Sequence, residues 1–298
     1  MKEDFRLQIP VSLMVFNRPD TTAEVFQRIR QAKPPKLYLV SDGARTDRPG
    51  EQEKVEACRK LVEEGIDWDC RLVRVYADEN MGCKMRMATG ITRVFEEEEM
   101  AIILEDDCVP EEAFFPFLQE NLLRYREDPG VMLVSGTLNL PGFPMEHSYC
   151  FSRFASIWGW GSYRRAWALY DVHMRSWPEV REKKLLRKYF SMLEYQLFLR
   201  DAEGVYSGRV DTWDMQWLLT VLVNGTGIVP SANLIRNIGC GREDATHTKD
   251  RFREISVAGG LSFPLRHPET TEENTAYDRA YCRSAYGLRR VLNKLKRG

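Results

Sequence analysis

Short apolar runs alternate with amphipathic stretches through the first half of the chain. Residues 11–16 are apolar and β-rich, and Pro19, Asp20 and Thr21 then open a helical stretch lasting to about Ala32. Residues 36–41 form a second apolar run, closed by the turn pair Asp42-Gly43. Helical spacing follows at 52–64, strand character at 71–76 and helical spacing again at 85–98. Residues 101–104 (Ala-Ile-Ile-Leu) read as a short, fully apolar strand running straight into Glu105. A helix at 111–125 and a strand at 131–135 complete the series. Repeated β-α-β of this kind predicts an α/β fold with a mostly parallel central sheet and helices on both faces.

The second half is less regular. Trp158, Trp160, Tyr163, Trp167, Tyr170 and Trp177 crowd together, helical spacing returns at 183–200 and 215–223, and residues 224–241 are rich in Gly and Asn. No linker of Pro, Gly or Ser and no internal repeat divides the chain, so the two halves are expected to share one sheet.

Composition narrows the class. The 298 residues are 43% apolar and 29% charged, which excludes disordered and fibrous chains. A formal net charge of -1 argues against a dedicated nucleic-acid binder. No run approaches the roughly 20 apolar residues that span a bilayer. The first apolar stretch follows Glu3 and Asp4 and lacks a cleavage site, so it reads as a buried strand rather than a signal peptide. Among the seven cysteines, Cys58, Cys70 and Cys83 are too far apart for a metal clip, and a reduced cytoplasmic chain is expected. From Arg283 onward there are basic residues and no acidic one, with Leu288, Val291, Leu292 and Leu295 on one helical face. A basic amphipathic helix is therefore expected at 281–298. It would either dock on the body or attach peripherally to an anionic inner-membrane surface.

The candidate chemistry starts at Glu105-Asp106-Asp107. In open α/β sheets ligands bind at the carboxyl ends of strands, where these three carboxylates stand. Mutual repulsion and desolvation raise their pKa values unless a cation compensates. A divalent cation would do so, and would also bridge a diphosphate. The alternative is a set of N-cap residues for the helix near Glu111, with Pro110 near its first turn.

The stretch AIILEDDCVPEEAFFPFLQENLLRYREDPGVMLVSG resembles the acidic-motif region of GT-A-fold (Rossmann-like) glycosyltransferases. Its Glu-Asp-Asp form is similar to that of the N-acetylglucosaminyltransferase I group and of bacterial family 2-type nucleotide-diphospho-sugar transferases. IPVSLMVFNRPDTTAEVFQRI, LYLVSDG, ENMGCKMRMATGI, WGWGSYRRAW, DTWDMQW and NLIRNIGCGREDATHT agree in order, so the resemblance covers about 8–270. It implies one domain over 1–280, with a donor-binding part at about 8–140 and an acceptor part at about 141–270.

The resemblance also implies roles. Asp107 would ligate Mn2+ or Mg2+, and Glu105 and Asp106 would contact the ribose or donor sugar. Asp42 would bind the base or ribose, with Asn17 and Arg18 near the nucleotide. Asn80 and Gly82 precede Lys84 and Arg86; this Gly turn before two cations would accept a diphosphate or simply start a solvated helix. Asp214, or Asp211 as runner-up, would be the base that takes the acceptor proton in an inverting transfer; an N-cap aspartate is the plain alternative. Trp160 and Gly161, with Trp158, would form a sugar platform or belong to the core. His247 would contact the metal or the diphosphate, flanked by Arg242 and Lys249. The other histidines show no ligand spacing.

The expected partners are a nucleoside-diphosphate sugar, a UDP-sugar foremost, and a glycan or lipid-linked acceptor, with no nucleic acid. Neither GxxxxGK[ST] nor a strand-following GxGxxG is present, so P-loop and dinucleotide readings lose their main support. A sugar nucleotidyltransferase would show a Gly-rich basic loop where Asn17-Arg18-Pro19-Asp20 stands. A catalytically inactive sugar-nucleotide or glycan-binding protein is the third reading.

Overall fold

β1 (Val11–Val15) is buried along its whole length, as a central parallel strand covered on both faces must be. α1 (Pro19–Ala32) opens on Pro19, whose missing N–H is no loss in a first turn, and its Val25, Phe26 and Ile29 form the buried stripe. β2 (Lys36–Ser41), α2 (Glu51–Gly65), β3 (Arg71–Tyr76), α3 (Gly82–Glu97) and β4 (Met100–Glu105) continue the alternation. A Cβ on Gly90 would stand 2.5 Å from Val40 Cγ1 and 2.9 Å from Met14 Cε, so this glycine lets α3 lie close on the sheet. The short β5 (Cys108–Pro110), α4 (Phe114–Arg124), β6 (Val131–Ser135), β7 (Tyr149–Ser152) and β8 (Trp160–Tyr163) follow. After them come α5 (Arg164–Trp167), α6 (Trp177–Glu182), α7 (Met192–Tyr206), α8 (Asp214–Asn224), β9 (Thr226–Pro230), β10 (Ile235–Asn237) and α9 (Thr275–Tyr286). This computed structural model describes residues 5–242 and 260–287.

Eight strands form one sheet in the order β3-β2-β1-β4-β8-β6-β9-β7. β3, β2, β1 and β4 are parallel; β8 runs antiparallel between β4 and β6. β9 is parallel to β6, and β7 is antiparallel to β9. The fold is thus a mixed α/β architecture with a mostly parallel central sheet flanked by helices. From β1 the chain moves outward to β2 and β3, then returns to place β4 on the other side of β1. In open α/β sheets ligands bind at such a reversal, here the carboxyl ends of β1 and β4.

The second half departs from its sequence reading in places. The Gly- and Asn-rich segment contains β9 and β10, and β10 pairs antiparallel with β5 just after the acidic triplet. The helical stretch expected at 183–200 is split. α7 begins at a capping box in which Ser191 and Glu194 bond each other's backbone amides. α9 begins before residue 281 and packs on α7, so the boundary expected at 280 falls within a helix. Residues 288–298 of the expected C-terminal helix lie outside the described residues.

The sugar-platform reading of Trp160 and Gly161 is corrected. Trp160 is 0% exposed and lies in an aromatic cluster, with ring centroids 5.9 Å from Trp213 and 5.5 Å from Trp217. Its indole faces are covered by other rings and cannot stack on a sugar. Gly161 belongs to the middle of the sheet, where a Cβ would meet Leu122 and the Ala101 carbonyl.

Candidate functional site

The register of β1 on β4 sets Met14 opposite Glu105, so the segments leaving both strands lie side by side. The Phe16 amide donates to Asp106 Oδ2 at 3.4 Å, and Arg18 Nη1 lies 3.3 Å from Asp107 Oδ2. The N-cap reading of the triplet is excluded: β5 follows Asp107 directly, and α4 has Ala113 as its N-cap. Burial raises all three carboxyls, Glu105 well above the ordinary range and Asp106 to about 7. The Asp107 charge adds to the effect on both neighbours, and Arg18 opposes it. Each of the three carboxyls is therefore harder to ionise here than in water, a cost that a bound cation would offset.

β5 and β10 fix Asp107 from behind. The Ile238 amide donates to the Asp107 carbonyl at 2.9 Å, and Gly239 leaves the space that the Asp107 carboxylate fills. The Gly239 amide is itself held by Asn237 Oδ1 at 2.9 Å. Sequence reading placed this segment in the closing region without singling out Asn237 or Gly239.

Asp42 has a different job from the expected one. It is 5% exposed, with Oδ1 accepting from the amides of Gly43 and Met81 and Oδ2 from Asn80 Nδ2 at 3.1 Å. It anchors the 80–82 turn rather than standing open to a base or ribose. Gly82, at φ 76, adopts the left-handed conformation that lets this turn enter α3. Arg86 is also corrected. It is buried, donates to the Val75 carbonyl at 3.1 Å and faces Asp42, so its guanidinium is not presented to a diphosphate. Lys84 is half-buried, and no hydrogen bond or ion pair joins it to another described residue.

Asn17 donates to Glu51 Oε1 at 2.8 Å. Glu51, which sequence reading missed, is held at a pKa of about 2, chiefly by the Arg45 guanidinium. Arg45 in turn lies over the Phe16 ring, 5.4 Å from its centroid. Asn17 is thus tied to the start of α2.

The two expected base candidates, Asp211 and Asp214, both lie within electrostatic range of Cys83 at the start of α3. Asp214 is the first residue of α8 and exposed; its Oδ1 accepts from Thr212 Oγ1 at 2.6 Å and from the Met215 amide at 2.7 Å. The N-cap is Trp213, so the N-cap alternative for Asp214 is not adopted. Asp211 is exposed near the start of α3, where a Cβ on Gly82 would stand 3.5 Å from its Oδ2. Cys83 reports how these groups converge. Its thiol is pushed up to about 12, first by burial and then by the charges of Glu105, Asp211, Asp214 and Asp42. Glu105 likewise feels Asp214. The triplet and the candidate base are therefore close enough for their charges to act on Cys83 together. Along α3, Met85 and Thr89 border an open groove of about 420 Å³ shared with Tyr170 and His173. His247 and Lys249 lie outside the described residues.

No known protein family matches this chain, and no curated protein matches it. Among solved structures it is similar to a mannosyltransferase from Pyrobaculum calidifontis in complex with GDP-Man and Mn2+. That likeness has 22% identity and a TM-score of 0.33 over 46% of this chain and 37% of the other. The chain thus spans well under half the length of that mannosyltransferase. It is also similar to 4-diphosphocytidyl-2C-methyl-D-erythritol synthase from Anaerococcus prevotii, at 9% identity and a TM-score of 0.35 over 55% of this chain and 74% of the other. UDP-glucose pyrophosphorylase complexed with UDP-glucose is similar at 8% identity and a TM-score of 0.34, over 54% of this chain and 78% of the other.

Proposed function

We propose that the chain is an inverting, metal-dependent glycosyltransferase. It would move a sugar from a nucleoside-diphosphate sugar, a UDP-sugar foremost, to a hydroxyl of a glycan or lipid-linked acceptor. The observation that carries this reading is the placement of Glu105-Asp106-Asp107 at the strand-order reversal, with raised carboxyl pKa values and Asp214 within electrostatic reach.

Among the described residues, no group of three His, Cys, Asp or Glu side chains forms a complete metal cage. The donor chemistry still suits a hard divalent cation. Asp107 offers carboxylate oxygen beside two further buried carboxyls, and Mg2+ commonly takes one or two carboxylates with phosphate oxygens and water completing its shell. When bound at Asp107, Mn2+ or Mg2+ supplies the charge that stabilises the leaving nucleoside diphosphate.

The remaining steps fall to the chain's own side chains. Arg18 and Lys84 add positive charge beside the diphosphate. Asp42 holds the turn that carries Lys84 into place. Asp214 takes the proton from the acceptor hydroxyl as its oxygen bonds to the anomeric carbon, and the bond from that carbon to the diphosphate oxygen breaks on the opposite face.

Sugar nucleotidyl transfer uses a similar sheet, but Phe16-Asn17-Arg18-Pro19 after β1 is not the Gly-rich basic loop that reaction needs. One assay separates the readings: a panel of UDP- and GDP-sugars with Mn2+ and mixed glycan acceptors, scored for free nucleoside diphosphate. Nucleoside triphosphate formed on adding pyrophosphate would favour nucleotidyl transfer. Tight donor binding without turnover would favour a binding protein.

A further inference from the structure

Residues 183–193 read Lys-Lys-Leu-Leu-Arg-Lys-Tyr-Phe-Ser-Met-Leu, with four cations and no acidic residue. They span the turn between α6 and α7 and the first two residues of α7, and their Leu186 and Phe190 belong to the fold's second hydrophobic cluster, which contains no residue of β4 or β5. α6 closes through Lys184 at φ 51. The Lys184 amide donates to the Arg181 carbonyl at 3.2 Å and the Leu185 amide to the Val180 carbonyl at 3.1 Å. This double cap ordinarily takes glycine at the left-handed position, where a lysine is conformationally disfavoured.

The turn is pinned from beneath. Leu186 and Phe190 are buried; Phe190 stacks on Phe198 with centroids 4.9 Å apart and meets Tyr286 of α9 at 5.7 Å. Apolar side chains remain outside. Leu185 is 45% exposed, Leu193 39% and Met192 65%, the highest value for a large apolar residue among the described residues. Lys184 and Lys188 form no ion pair with a described residue, and Lys188 lies over the Tyr189 ring at 5.0 Å. Lys183 is paired with Glu179 of its own helix.

Single exposed leucines are ordinary, but three large exposed apolar side chains within one short segment, from the α6–α7 turn into the start of α7 and with lysines among them, are not. Lysine is depleted from protein–protein interface cores, and a second copy would bring the same four like charges. An anionic bilayer fits both features. Its phosphates attract the cations, and its headgroup–acyl boundary accepts the apolar tips. No helix among the described residues is long and apolar enough to cross a membrane, so the contact would be a surface one.

We propose that the α6–α7 turn is a peripheral membrane-docking surface. Leu185, Met192 and Leu193 enter the boundary of an anionic bilayer, and Lys184 and Lys188 bind its phosphates, while Lys183 is held by Glu179 and Arg187 by the Phe190 carbonyl. This surface is independent of the donor chemistry and stands or falls separately from it.

The test is co-sedimentation of the full chain with vesicles of phosphatidylcholine alone and of phosphatidylcholine mixed with phosphatidylglycerol. Binding is expected to the mixed vesicles only, weakening as salt is raised. Lys184→Ala combined with Lys188→Ala should lower the partition coefficient about 25-fold, roughly five-fold per lysine. Met192→Asp should lower it in a variant that keeps both lysines. Both variants change exposed positions, and an unaltered melting temperature confirms that they fold. The proposal is overturned if the chain binds neither vesicle. It is also overturned if both variants bind as the parent does while neutralising Arg289, Arg290, Lys294, Lys296 and Arg297 abolishes binding. A lipid-independent dimer that Met192→Asp dissociates would assign the surface to self-association and overturn it too.

Discussion

Gly239 stands directly against Asp107: a Cβ at position 239 would lie 2.8 Å from Asp107 Cγ and closer still to Oδ2. The closing segment thus shapes the residue that would hold the metal. Gly239→Ala should displace the Asp107 carboxylate and weaken Mn2+-dependent nucleoside diphosphate binding about 10–100-fold, the usual effect of disturbing a ligand's support. Titration calorimetry measures this. Unchanged affinity would show that Asp107 has no such role or relaxes freely.

Asp214→Asn keeps the shape of the side chain and removes its ability to take a proton. The rate should fall by about 10²–10⁴-fold with donor affinity unchanged. A smaller loss, together with a large one for Asp211→Asn, would move the base to Asp211.

Trp160 should behave as core. Trp160→Ala should destabilise the fold by about 3–5 kcal/mol, as for other buried aromatics. Trp160→Phe should retain donor and acceptor KM, since no substrate reaches that ring. Denaturant unfolding and steady-state kinetics check the two expectations.

Asp278 ties α9 to β7, accepting from Ser152 Oγ at 2.5 Å and from the Arg153 amide at 3.3 Å. Burial raises its pKa to about 6, more than these bonds lower it. The folded state therefore binds more protons than the unfolded state between about pH 4 and pH 6, and stability must fall as pH rises through that window. The contribution is on the order of 2–3 kcal/mol. Asp278→Asn should remove this part of the pH dependence in urea unfolding series. An identical profile in the variant would contradict it.

The first sheet half was legible because its signals are local. The strands at 36–41 and 131–135 are mostly apolar runs, and 71–76 is rich in β-branched and aromatic residues; their ends match β2, β6 and β3. β8 was not legible. Trp160-Gly-Ser-Tyr163 becomes a strand by pairing with both β4 and β6, which are distant in sequence. The capping box at Ser191 and Glu194 was a local signal that the helical spacing at 183–200 obscured. At the site, residue type revealed the triplet, but burial decided the roles. Asp42, Arg86 and Trp160 have suitable chemistry, yet neighbouring groups cover all three. Gly239 carries no local sign that a carboxylate from another strand fills its space.

The most direct measurement is calorimetric titration of UDP and GDP into the full chain, with and without Mn2+, for the parent and Asp107→Asn. If the triplet holds the metal and diphosphate, Mn2+ should strengthen binding of one nucleotide at least about tenfold in the parent, and Asp107→Asn should abolish that gain. Nucleotide affinity that ignores both Mn2+ and the substitution would contradict the proposed site.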